Sequence, residues 1–112
     1  MIPLFHKQCV PCEGDVKPLG KEAIHEYIKQ LHTKWLVFNM IKLRKEFRFK
    51  DFRAAMLFVN RVASVAETEG HHPDISIFYD KVIIELWTHA IGGLSDNDFI
   101  LAAKIEQIEN ID

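Results

Sequence analysis

Apolar positions along the chain change period four times, and each change marks an element. Ile24, Tyr27, Ile28 and Leu31 recur at helical spacing and predict a helix beginning after Pro18. Near Trp35 the spacing shortens to two. Leu43, Phe47 and Phe49 alternate with Arg44, Glu46 and Arg48, predicting two short strands between about 35 and 49. The three-and-four spacing returns in Phe52, Ala55, Met56, Val59, Val62, Ala63 and Ala66, the clearest helical signal in the chain. Asp51 suits its N-cap and Gly70 its C-terminal stop, and Pro73 forbids further helix.

From about 74 to 89 the period is two again. Val82, Ile84, Leu86 and Thr88 share one face, and Lys81, Ile83, Glu85, Trp87 and His89 share the other. Ser95 and Asp98 form a capping-box pattern that opens a last helix, with Leu101, Ile105 and Ile108 on one side. The order helix, two strands, helix, two strands, helix predicts an α+β fold, a four-stranded antiparallel sheet with three helices on one face. Residues 1–17 lack any period and read as an irregular N-terminal arm, leaving 18–112 as a single domain.

Burial also suggests a register for the second hairpin. Pairing Tyr79 with Val82, Ile77 with Ile84 and Ile75 with Leu86 keeps both strands' apolar residues on the core face. Asp80-Lys81 is then a two-residue turn, and the ladder extends to set His89 opposite His72. Opposed residues have Cβ atoms about 4.5–5.5 Å apart.

Composition narrows the classes. At 112 residues and 48% hydrophobic, the chain can bury one core. Its formal net charge of -2 supplies no general attraction to nucleic acid or anionic membrane. The local basic run Lys42, Arg44, Lys45, Arg48, Lys50 and Arg53 is interleaved with apolar residues, as on an exposed strand face. No apolar run approaches the roughly 18 residues needed to span a bilayer, and Met1–His6 lacks a signal-peptide pattern, so a cytoplasmic location is expected. Cys9 and Cys12 form one C-x-x-C. With no second pair to complete a zinc site and Pro11 arguing against a redox helix, they read as an ordinary reduced pair.

The candidate chemistry lies at His71-His72-Pro73. Histidine titrates near neutral pH, and proton transfer requires such groups held in place. The register above gathers His71, His72 and His89 at one edge of the sheet, with Glu67 one helical turn before His71. Catalysis, structural histidines and a three-histidine zinc site all fit this spacing. Adjacent His71 and His72 are poorly placed to aim both rings at one metal.

Glu67, His71-His72-Pro73, Tyr79, His89 and Asp98 together resemble the signature of the pterin-4a-carbinolamine dehydratases, known in animals also as dimerisation cofactors of a homeodomain transcription factor. Phe49-Lys50-Asp51-Phe52 resembles that family too, and the resemblance covers about residues 18–110. It implies dehydration of a 4a-hydroxytetrahydropterin to quinonoid dihydropterin, recycling the cofactor of aromatic amino acid hydroxylases. It further implies acid-base catalysis by His71, His72 and His89 without metal or other cofactor. Protonated His71 or His89 would be the acid and neutral His72 the base.

Glu67, Pro73, Trp87 and Asp98 are the expected substrate-side residues. Glu67 would tune His71 or anchor the pterin, and Pro73 would fix the backbone. Trp87 would line the pocket or an oligomer contact, and Asp98 would position the loop after His89. The expected partners are the pterin, a second copy in a homodimer or homotetramer, and a functional link to an aromatic amino acid hydroxylase, with no direct nucleic-acid or membrane contact. The reading from a different class is a non-catalytic binding module. Retention of all three histidines favours the enzyme.

Overall fold

The computed structural model describes residues 2–11 and 16–109. Helix α1 spans Lys21–Ile28, β1 Leu36–Phe38, β2 Lys42–Arg48, α2 Phe52–Glu69, β3 Asp74–Phe78, β4 Lys81–Leu86 and α3 Asp96–Glu109. The four strands form one antiparallel sheet in the order β1-β2-β4-β3. The α+β arrangement expected from the periodicity is the one observed. Among the described residues no helix is long and apolar enough to cross a membrane.

Alternation along the central strands decides which face meets the helices. Leu43, Phe47, Val82, Ile84 and Leu86 are almost wholly buried, and the helices cover them with Ile24, Phe58, Val62, Leu101 and Ile105. Each such side chain contributes about 1.5–3 kcal/mol by leaving water. Phe47, Phe49 and Phe58 pack as a cluster, with ring centroids 4.7 and 5.0 Å from Phe58. The core stripe of α2 runs through Ala55, Phe58, Val59, Val62 and Ala66, whereas Phe52 and Ala63, expected on that face, are exposed. Both expected ends of α2 form. Asp51 accepts from the Ala54 N–H at 2.9 Å, and Gly70 closes the helix at φ 67°.

Helix α3 departs from the amphipathic expectation and is buried on nearly every side, Phe99, Leu101, Ala102 and Ile105 among the enclosed residues. Part of the reason is the N-terminal arm. Leu4, in a single 3₁₀ turn at Leu4–His6, enters the core, and Lys104 Nζ donates to the Phe5 carbonyl at 3.0 Å.

The second hairpin differs from the expected register by two residues. Phe78 pairs with Lys81, Ile77 with Val82 and Ile75 with Ile84, so the turn is Tyr79-Asp80. A two-residue slip preserves which face each side chain points to, and burial therefore does not distinguish the registers. The contact that favours the observed one is tertiary: the Phe49 N–H donates to the Asp80 carbonyl at 2.8 Å while Tyr79 takes φ 54°. In this register His89 does not oppose His72. It lies past the end of β4 in a 3₁₀ turn, His89–Ile91.

Beyond that turn, Thr88 and Gly93 form a short bridge, and the Leu19 N–H donates to the Leu94 carbonyl at 2.8 Å. Gly93 permits this close approach, since a Cβ there would stand 2.8 Å from the Pro18 Cβ.

Candidate active site

Three chain segments converge where α2 ends, β4 ends and α3 begins. Gly70 reverses the chain, so the His71 N–H returns to the Ala66 carbonyl at 3.2 Å and the His71 ring turns inward toward α3. There His71 Nε2 meets Asp98 Oδ1 at 2.6 Å, with the imidazole 12% exposed and the carboxylate 0%. The other carboxylate oxygen accepts from Thr88 Oγ1 at 2.8 Å and from the Ser95 N–H at 2.9 Å. With its hydroxyl proton directed to Asp98, Thr88 accepts from Ser95 Oγ at 2.7 Å. Asp98 is thus the capping-box acid of α3 and the anchor of His71 at once. Its three donors offset the cost of burying a carboxylate.

Glu67 does not pair with His71 as the helical spacing suggested. The backbone reversal at Gly70 swings His71 away and presents His72 instead, whose Nε2 lies 2.8 Å from Glu67 Oε2. Both side chains are exposed, at 63% and 78%. His89 lies against Trp87 with ring centroids 4.1 Å apart, and Trp87 Nε1 donates to Asp74 Oδ2 at 3.1 Å.

His71, His72, His89 and Trp87 line one open cavity of about 410 Å³, together with Thr88, Asn97 and the arm residues Val10 and Pro11. Glu67, Pro73 and Asp98 stand outside its walls, Glu67 and Asp98 each in contact with a histidine that lines it. Nε2 of His71 and of His72 each faces a carboxylate, which leaves Nδ1 of each ring as the nitrogen for exchange with a ligand. The arrangement can therefore hold imidazoles in defined tautomers beside a small organic molecule. Among the described residues, no three His, Cys, Asp or Glu side chains are grouped to hold a metal ion.

Periodicity had not pointed to Thr88, Asn97, Val10 or Pro11 as parts of the site. The signal available for the first two was the Ser95–Asp98 capping box, which brings the α3 N-terminus against the end of β4. Cys9 is half-buried, and burial first and the Glu69 carboxylate next push its thiol up to about 12. Its C-x-x-C partner Cys12 lies outside the described residues.

Set against known proteins, residues 17–108 match the profile of the Pterin 4 alpha carbinolamine dehydratase family. The chain belongs to this family. A protein of Rickettsia bellii named as a pterin-4-alpha-carbinolamine dehydratase is 45% identical over 107 residues, covering 96% of this chain and 95% of its own. One of the same name from Nitrosospira multiformis is 50% identical over 108 residues, covering 96% and 94%.

Among solved structures, a transcriptional coactivator/pterin dehydratase from Brucella melitensis superposes with a TM-score of 0.76 at 30% identity, over 82% of this chain and 98% of that one. A pterin dehydratase-like RuBisCO assembly factor of the alpha-carboxysome shares the fold, with a TM-score of 0.61 at 23% identity over 72% and 95%. The dehydratases of this family are hydro-lyases, a class whose chemistry calls for proton donors and acceptors around one cavity.

Proposed function

We propose that the chain dehydrates a 4a-hydroxytetrahydropterin to quinonoid dihydropterin and water, and so recycles the tetrahydropterin cofactor of aromatic amino acid hydroxylases. The observation that carries this reading is the grouping of three imidazoles around one cavity, two of them held by carboxylates, in a chain of this family. The elimination breaks the C4a–O bond and the N5–H bond and forms C4a=N5. One group must protonate the departing hydroxyl and another must take the N5 proton.

His72 suits the base. Glu67 accepts its Nε2–H, leaving the Nδ1 lone pair to receive the N5 proton. His71 or His89 delivers a proton to the hydroxyl. Asp98 positions His71 from behind without touching substrate. After water leaves, proton exchange with solvent restores both partners, so the protein's own groups complete the proton cycle.

Exposed Leu36, Phe38 and Phe78 on the sheet's outer face suit burial in a homodimer or homotetramer, which sedimentation would detect. The alternative of a non-catalytic binding module draws on the Brucella melitensis neighbour, whose name pairs coactivator with dehydratase. Dehydration of a 4a-hydroxytetrahydropterin, followed against its spontaneous loss, separates the two. The enzyme reading expects acceleration by the wild type and a loss of about 10²-fold or more in His72→Ala and His89→Ala. A wild type no faster than the uncatalysed reaction leaves the binding module.

A further inference from the structure

Part of the cavity's wall comes from the N-terminal arm. Val10 and Pro11 line it, although neither belongs to the 17–108 segment matched by the family profile. The arm is tied down at several points. Leu4 is 3% exposed and sits in the core, and the Cys9 N–H donates to Glu69 Oε1 at 2.8 Å. The Val10 N–H donates to Asn97 Oδ1 at 3.0 Å, and Asn97 Nδ2 donates back to the Val10 carbonyl. These two bonds reproduce one rung of β-pairing, with a side-chain amide in place of a second strand. Asn97 is itself buried and immediately precedes Asp98. The same helical turn that anchors His71 therefore also sets the position of the arm.

We propose that Val10 and Pro11 form a specificity wall for the substituent on C6 of the pterin, and that Asn97 is the positioning residue that holds this wall in place. The proposal rests on the dehydratase reading above. C6 is bonded to N5, so a C6 substituent emerges beside the imidazoles and not at the distant pyrimidine end. The imidazoles and Trp87 supply the polar and aromatic surfaces there, and Val10 with Pro11 supplies an aliphatic one. Val10 is 65% exposed, which places it at the open mouth where a longer substituent leaves the cavity.

The test compares 4a-hydroxytetrahydropterins carrying methyl or propyl at C6, using wild type, Asn97→Ala and Val10→Gly. Truncating an aliphatic contact is expected to lower kcat/KM for the propyl substrate relative to the methyl one by about fivefold or more, through KM, with the shape of the pH profile retained. A merely structural role would lower both substrates in proportion. An unchanged propyl-to-methyl ratio in Val10→Gly overturns the wall, and this variant decides alone should Asn97→Ala not fold. An unchanged ratio in a folded Asn97→Ala overturns the positioning role. If wild type accelerates neither substrate, the dehydratase reading itself fails and the wall fails with it, an outcome distinct from an unchanged ratio in an active enzyme.

Discussion

Replacing Asp98 by asparagine tests whether the carboxylate behind His71 serves the chemistry or only the helix. The substitution conserves shape and exchanges one acceptor oxygen for a donor amide. Two orientations are available. With the NH₂ toward Ser95 and Thr88, two donors would face a donor at a site that is 0% exposed. Each buried polar group so stranded costs about 1–3 kcal/mol. Turning the NH₂ toward His71 instead preserves the cap, and the conflict falls on the single contact to Nε2, 2.6 Å long in the wild type.

The ring relieves that conflict by giving up its Nε2 proton and keeping one on Nδ1, and a ring so held cannot deliver that proton to the hydroxyl without becoming an imidazolate. Stability should fall by about 1–2 kcal/mol, the loss of one charge-assisted bond. Turnover should fall by about 10²- to 10³-fold in kcat, because the imidazole is held in an unproductive tautomer. Urea melts give the first quantity and initial rates corrected for spontaneous dehydration the second. Nitrogen NMR of the His71 ring reports the tautomer directly. A variant with kcat within threefold of wild type and an unmoved tautomer would refute the reasoning and leave Asp98 a helix cap.

Three further outcomes follow from features away from the histidines. Glu106 is 1% exposed and accepts from the His32 N–H at 3.0 Å, the Thr33 N–H at 2.7 Å, the Thr33 hydroxyl and Trp35 Nε1 at 3.1 Å. Glu106→Ala should therefore lower unfolding stability by about 3–5 kcal/mol in urea melts, and a loss under about 1 kcal/mol would show that water replaces the carboxylate without penalty. Gly93→Ala should cost about 1–3 kcal/mol by forcing Pro18 away, read as a lowered Tm; an unchanged Tm would mean the Pro18 loop yields freely. Cys9, studied in a Cys12→Ser background, should alkylate at least about tenfold more slowly at pH 9 when folded than in urea. Because folding raises this thiol's pKa from 9.0 to about 12, its contribution to stability is intact below pH 9 and is lost as pH climbs toward 12. Equal alkylation rates in both states would contradict the burial of this thiol.

The elements were legible because each carries a local physical signature. The spacing of Ala55, Val59, Val62 and Ala66 predicts α2, and Asp51 and Gly70 mark its ends. The alternation in β4 predicts which face is buried. What local pattern does not contain is the partner across space. The hairpin slipped by two residues because face parity is blind to even shifts, and the Phe49–Asp80 contact that distinguishes the registers joins separate hairpins. The pairing of Glu67 passed from His71 to His72 because continuous helical geometry stops at Gly70, one residue too early for the i, i+4 rule. Asp98 was readable as a cap, but its second role needed the folded approach of α2 to α3. The arm carried no period at all, and its contribution to the cavity depends on Asn97, whose side chain imitates a strand that sequence patterns do not register.

The enclosure of α3 has a bearing on synthesis. This helix supplies Phe99, Leu101 and Ile105 to the centre of the core, yet it is the last of the described elements to leave the ribosome. Until it emerges, the four strands and α2 have made their local pairings around a vacant middle, with Leu43, Ile84 and Val62 still open to water. The nascent chain therefore spends its most aggregation-prone interval with every other described element already translated. Loss of even a few C-terminal residues from α3 should act on yield and solubility before it acts on turnover.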